Sequence, residues 1–300
     1  MNQKWYKNKK LTPYLFISPA VLLIFGFLFY PMFNIFSYSL WRYNVNKPYA
    51  TKFIGLDNFI EIFTRDNVFY GTLGLTAAWV LIQVTIQLIF GMMIALLLNQ
   101  NFKGRGIVRS FVFLPWSISG VLTSVLWSLI YNEHIGVLND ICLKLGLIDN
   151  SVAWLGNASF AFLSIVVADF WRAVPFFAIT LLAAMQSIPM ELYESCRIDG
   201  GSKINGFRYV TLPFLKNNIV LTTLLTCVWE FKNVDLIYNL TGGGPGYLST
   251  TLSIYITNTS INNRDFGYGS ALAVVAFFFL LIASVIYLRL TKFGKEENDV

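Results

Sequence analysis

The sequence predicts an all-α membrane protein with about six transmembrane helices and both termini in the cytoplasm. Three observations carry this expectation. Apolar residues fall in blocks long enough to cross a bilayer, charged residues are scarce, and Lys and Arg gather on alternate sides of the blocks.

Of 300 residues, 56% are hydrophobic and 13% charged, where soluble domains carry about a quarter charged. Mean hydropathy is +0.59. Length alone would suggest two soluble domains, but the apolar blocks override that expectation. A spanning helix needs about 20 mostly apolar residues. Six blocks qualify: Tyr14–Ser39, Thr72–Leu98, Val108–Ile130, Phe160–Met185, Pro213–Val228 and Gly269–Leu290.

Orientation follows from Lys and Arg in the short connections. With a cytoplasmic N-terminus, the inside segments hold Lys4, Lys7, Lys9, Lys10, Lys103, Arg105, Arg109, Arg197, Lys203, Arg208, Lys216, Arg289, Lys292 and Lys295. The outside segments hold Arg42, Lys47, Lys52, Arg65, Lys144, Lys232 and Arg264. That is about two to one in favour of this orientation. The first block reads as an uncleaved helix, because it is too long for a signal peptide, carries Pro19, Gly26 and Pro31, and ends without a small-residue cleavage site. The longest outside loop, Phe231–Tyr268, is too short for a sizeable domain. Residues 1–300 therefore read as a single transmembrane domain, and recognition in the outer medium needs a separate protein.

Several function classes lose their chemistry. Cys142, Cys196 and Cys227 are far apart and odd in number, and His134 is the sole histidine. Neither a disulfide framework nor a zinc site follows, and no cofactor is expected. The net charge of +6 lies at block ends rather than in a nucleic-acid patch. A membrane-embedded enzyme would need clustered acids, bases or metal ligands at one membrane face. The outside acids Asp57, Glu61, Asp66, Glu133 and Asp140 are spread out instead.

One segment between the fourth and fifth blocks stands apart: residues 188–213, IPMELYESCRIDGGSKINGFRYVTLP. Pro189 suits a first helical turn. Glu191 and Glu194 sit near that helix N-terminus, where negative charge is favoured. Leu192 and Cys196 share one face. Asp199-Gly200-Gly201 is a helix-end signal. Phe207, Val210 and Leu212 begin a second amphipathic stretch that is expected to end at Pro213. By composition alone this could be a helix resting on headgroups.

Its pattern resembles the signature loop of ABC-importer permeases: E-A-A, three residues, G, then F and a terminal P. Glu194-Ser195-Cys196 stand at the E-A-A positions. Asp199-Gly200 match, Gly201 stands where Ala is usual, and Phe207 and Pro213 match. Ser195 and Cys196 replace two alanines with small residues. The resemblance implies a type I importer permease fold, with this loop as the coupling helix that docks on an ATPase subunit. Glu194 would meet a basic residue there. The chain has no G-x-x-x-x-G-K-[ST] loop, and Gly200-Gly201 and Gly242-Gly243-Gly244 lack the Lys that one needs. ATP hydrolysis is therefore expected on another polypeptide.

Further stretches resemble the carbohydrate branch, and within it the maltose-type first permease. They are Pro13–Ala20 with Tyr30-Pro31, Phe53–Phe59, Leu240–Pro245 and Phe266–Ala271. The resemblance implies a heterodimer with a second, homologous permease, two cytoplasmic ATPase subunits and an extracellular sugar-binding lipoprotein, in a bacterial plasma membrane. It also places substrate contacts after the Trp of a W-x-x-x-P stretch, at Arg172, Ala173 and Phe176. A second set lies before the glycine cluster, at Trp229, Glu230 and Asn233, with Gly120 as a further match.

The residues themselves leave alternatives open. Polar groups at membrane depth usually face a cavity or a partner, which fits Asp169, Trp171, Arg172 and Phe176 around Pro175. Trp171 and Trp229 also suit the membrane interface. Arg172 could pair with Glu230, with the partner permease, or with the carboxylate of an acidic sugar. Gln83 and Gln87 share one helix face and suit bonding between helices. A permease for glycerol phosphate, polyamine or amino acid would share the coupling loop.

Overall fold

The computed structural model describes residues 12–293. Lys4, Lys7, Lys9, Lys10 and Lys295 of the orientation argument lie outside the described residues. Among the described residues, helices alternate with short connections, and one two-stranded hairpin is present. Contacts divide the chain into two compact units. One comprises residues up to Asp66 with Ile256–Phe278, the other Asn67–Tyr255 and Phe279 onward.

The first unit begins with α1 (Thr12–Ile24), a π turn at Phe25–Phe29 and α2 (Tyr30–Tyr38). Together they make one apolar run, with none of its most hydrophobic stretch buried within the chain. Pro31 follows the π turn, where Tyr30 N–H bonds Phe25 O. A proline ring clashes with the carbonyl four residues back, here Phe27. The wider π turn relieves that clash, so the helix continues. Strands β1 (Trp41–Arg42) and β2 (Lys52–Phe53) pair antiparallel, Trp41 opposite Phe53. The following α3 (Asp57–Thr64) holds the hairpin through Asn58, whose Nδ2 donates to Ser39 O at 2.8 Å and Trp41 O at 3.1 Å.

The second unit contains α4 (Asn67–Leu98), α5 (Arg105–Phe113), α6 (Gly120–Ile130), α7 (Val137–Lys144) and α8 (Ala161–Gln186). It continues with α9 (Met190–Ile198), α10 (Lys203–Gly206), α11 (Leu212–Phe231), α12 (Asp235–Thr241) and the start of α13 (Leu252–Thr257). A final helix, α14 (Phe266–Leu290), contributes to both units. The core lies where α4, α8 and α11 pack. One buried cluster joins Trp79, Ile165, Ala168, Leu236 and Ile254. Another joins Ala95, Leu98, Phe177, Leu181 and Leu215. Gly91 lets α4 approach α8 closely: a Cβ there would collide with Phe177 Cβ and lie 3.2 Å from Ala178 N.

Five helices are long and apolar enough to span a membrane, and a bent pair brings the count to six. That pair corrects one expectation. The block Val108–Ile130 is not a straight helix. A 3-10 turn at Leu114–Ser117 ends α5, Ile118 is extended, and Ser119 caps α6 by accepting Leu122 N–H at 3.3 Å. The two helical arms bend by 98°. Pro115 and the Ser119 cap break the backbone pattern while leaving the hydropathy intact.

Candidate functional site

Helix α8 places Asp169, Arg172, Ala173 and Phe176 at helical spacings of three and four, hence along one face. The end of α11 and the residues after it bring Thr226, Trp229, Glu230 and Asn233 against that face. A cavity of about 290 Å³ lies between them, lined by Gln87, Trp116, Arg172, Ala173, Phe176, Thr226, Trp229, Glu230, Lys232, Asn233, Val234 and Asp235.

Its polar wall is a connected hydrogen-bond network. Arg172 donates to Asp169 Oδ1 through Nη2 at 2.8 Å and Nε at 3.3 Å. Asn233 Nδ2 donates to the same Asp169 oxygen at 3.1 Å and to Glu230 Oε2 at 3.2 Å. Gln87 Nε2 donates to Glu230 Oε1 at 2.9 Å and to Gln83 Oε1 at 3.2 Å. Gln83 Nε2 in turn donates to Val166 O on α8 at 3.0 Å. Asp169, Gln83, Gln87 and Glu230 are all buried. Such groups cost several kcal/mol each without partners, so the network makes a polar wall tolerable inside an apolar bundle. Asp169 Oδ2 alone among these carboxylate oxygens is buried without a partner.

Aromatic side chains complete the lining. The Phe176 ring stacks on Trp116 at 5.8 Å and tilts against Trp229 at 4.7 Å. Polar groups and aromatic rings in one cavity suit a polyhydroxyl ring: hydroxyls bond the former and C–H faces pack on the latter.

Six of the seven residues expected along the path meet here: Arg172, Ala173, Phe176, Trp229, Glu230 and Asn233. Gly120 does not line the cavity. It lets α6 approach α12, where an added Cβ would sit 3.1 Å from Asp235 Cβ. Within this chain Arg172 pairs with Asp169, three residues back on its own helix, and Glu230 bonds Gln87 and Asn233 instead. Trp116, Thr226, Lys232 and Asp235 escaped the sequence reading. Gln87 was read only as bonding between helices, and it both bonds and lines the cavity.

The segment 188–213 folds as a helical hairpin. Pro189 caps α9, and Glu191 lies in its first turn. Glu194 and Ser195 are exposed, while Cys196 is half-buried. Asp199 ends the helix, and Gly200 takes φ +80°, a left-handed turn that glycine adopts without strain. Gly201 N–H closes the turn onto Cys196 O at 2.8 Å. A Cβ on Gly201 would lie 2.6 Å from both Cys196 O and Cys196 Sγ. Cysteine where the pattern has alanine and glycine where it also has alanine thus fit each other. Tyr193 and Thr211 tie the two arms through their hydroxyls at 2.9 Å. Met190, Leu192, Ile198 and Ile204 remain exposed.

Pro213 requires a correction. The second amphipathic stretch does not end there. A π turn at Phe207–Thr211, closed by Leu212 N–H on Phe207 O, carries the helix through Pro213 into α11. The clash of Pro213 with the carbonyl of Tyr209 is relieved as at Pro31. No cluster of His, Cys, Asp and Glu fit for a metal occurs among the described residues.

Apolar helices around a cavity lined by polar and aromatic side chains, with an exposed helical hairpin at the far end of the helix that carries Glu230, have the features of a membrane transport component. Residues 87–293 match the family described as binding-protein-dependent transport system inner membrane component. The trehalose/maltose transport system permease protein MalF of Thermococcus litoralis is 35% identical over 291 residues, 97% of each chain. The sulfoquinovosyl glycerol transport system permease protein SmoG of Agrobacterium fabrum is 32% identical over 283 residues, 94% of this chain and 91% of its own. The chain belongs to the family of binding-protein-dependent transport system inner membrane components. Its fold is shared with a chain from a bacterial ABC transporter involved in the import of the acidic polysaccharide alginate, at TM-score 0.83 and 21% identity over 97% and 99% of the two chains.

Proposed function

We propose that this chain is a permease subunit of an ATP-binding-cassette importer for a carbohydrate, delivered by an external binding protein. It works beside a second, homologous permease and two ATPase subunits in a bacterial plasma membrane. The observation that carries the reading is the cavity, whose lining combines Phe176, Trp116 and Trp229 with Arg172, Glu230, Asn233 and Gln87. Relatives whose names specify trehalose, maltose and sulfoquinovosyl glycerol support the substrate class.

In this reading the hairpin 188–213 is the coupling element, with Glu191, Glu194, Ser195, Cys196, Asp199, Gly200, Gly201, Phe207 and Pro213 shaping or presenting it. Met190, Leu192, Ile198 and Ile204 supply apolar contact area for an ATPase subunit. ATP binding closes the ATPases and draws the coupling hairpins together. The cavity then opens outward to accept sugar, and hydrolysis returns it to the inward state. The cycle is alternating access between two states that ATP and substrate bias differently.

The test is ATPase activity of the four-subunit complex in nanodiscs, with its binding protein. The panel is trehalose, maltotriose, sulfoquinovosyl glycerol and an alginate trisaccharide, with glycerol 3-phosphate and spermidine as the non-sugar arm. Stimulation by a sugar, lost in Glu194→Ala while loaded binding protein still docks, is the expected result. Stimulation only by glycerol 3-phosphate or spermidine would overturn the carbohydrate assignment.

A further inference from the structure

The polar wall of the cavity is backed by a residue that never reaches it. Gln83 is fully buried and is not among the cavity-lining residues. Its amide nitrogen donates to Val166 O of α8, which leaves its oxygen facing Gln87. The Gln87 nitrogen carries two hydrogens. One goes to Gln83 Oε1 and the other to Glu230 Oε1. The orientation of the Gln87 amide is thus set from behind. If it turned over, it would present an oxygen to Glu230, which offers oxygens of its own.

Glu230 sits at the receiving end. A carboxylate has about four lone-pair positions. Gln87 and Asn233 occupy one on each oxygen, which leaves acceptor positions for substrate hydroxyls. The path runs from the α8 backbone through α4 to α11, then through Asn233 back to Asp169 on α8. It closes a ring across three helices.

We propose that Gln83 is a positioning residue for substrate selection: it fixes the Gln87 amide, and through it the Glu230 carboxyl that receives the hydroxyls of the transported solute. The proposal rests on the reading of the cavity as a carbohydrate site.

The experiment uses the complete complex in nanodiscs with Gln83→Met, which preserves volume and removes both polar atoms. The readout is the concentration of loaded binding protein giving half-maximal ATPase stimulation, with whichever panel sugar stimulates the wild type. Losing one well-oriented bond to a charged group predicts a rise of about tenfold in that concentration, with the maximal rate little changed. Glu230→Gln provides the rescue. An amide at position 230 carries both donor and acceptor, so it can meet either face of Gln87. In that background Gln83→Met is expected to shift the half-point less than about twofold.

A half-point equal to wild type in Gln83→Met would overturn the proposal. So would a shift of the same size in the Glu230→Gln background, since Gln83 would then act on general packing. Should Gln83→Met fail to assemble, Gln83→Asn withdraws the amide by one methylene, and the same rise and rescue are required of it. Absence of stimulation by every sugar in the wild type is a different failure, that of the carbohydrate reading itself.

Discussion

Two glycines on one helix make opposite predictions for the same substitution. Gly74 and Gly91 both lie in α4, whose pairing with α8 is the most extensive between helices. A Cβ on Gly74 meets nothing within 4 Å. Gly74→Ala should therefore be neutral or gain up to about 1 kcal/mol from helix propensity. A Cβ on Gly91 overlaps Phe177 Cβ and lies 3.2 Å and 3.3 Å from Ala178 N and Phe177 C. Carbon contacts are favourable at about 3.5–4.0 Å, so the helices must part by at least several tenths of an ångström. The obstructing atoms belong to backbone and a Cβ, which cannot turn aside. Overpacking of this kind costs about 1–3 kcal/mol, so the two variants should differ by about 1–4 kcal/mol. Thermal unfolding of the purified complex in detergent reads the difference as a lower midpoint for Gly91→Ala. Because the α4–α8 contact flanks the cavity wall, sugar-stimulated ATPase should fall with it. Equal midpoints for the two variants would refute the reasoning that α4 and α8 touch through Gly91.

Two other substitutions follow from the same geometry. Asp169→Asn leaves the Arg172 guanidinium without its counter-charge. With Asp169 fully buried and the Arg172 side chain 23% exposed, the cost should lie near the lower end for a broken buried pair, about 3 kcal/mol. Arg172→Gln should recover much of that midpoint in the double variant, and an unchanged midpoint for Asp169→Asn alone would contradict the pairing. Gly200→Ala forces a side chain into φ +80° and should cost about 1 kcal/mol. Gly200→Asn should cost less, and thermal shifts of the two variants in the opposite order would argue against the left-handed turn.

Much of the architecture was legible because a bilayer rewards uniform apolarity. The blocks at 14–39, 72–98, 160–185 and 269–290 need only length and hydropathy to be seen, and helices occupy each of them. The third block misled because Pro115 and Ser119 interrupt backbone geometry without interrupting apolarity. Pro213 misled in the reverse sense: it read as the end of a stretch, and like Pro31 it is absorbed by a π turn placed just ahead. Sequence shows the proline but not the extra residue per turn that accommodates it. In the cavity, charged and amide residues at membrane depth were conspicuous, so Arg172, Glu230 and Asn233 could be singled out. Trp116 and Asp235 were not, because one resembles any interface aromatic and the other any loop acid until α6 and α12 bring their neighbours together. The pairing of Arg172 with Asp169 was missed, because a spacing of three on a helix permits a pair without requiring it.

The helix that passes through Pro213 has a mechanical meaning. From Lys203 to Phe231 the backbone is helical without interruption, a rod of about 40 Å at 1.5 Å per residue. One end carries the arm of the hairpin joined to α9, and the other carries Trp229 and Glu230. A rod of this kind behaves as a lever. Under the proposed coupling role, a push on the hairpin would tilt the opposite tip directly, because no loop lies between them to take up slack. A proline that would ordinarily weaken the shaft has been built into it.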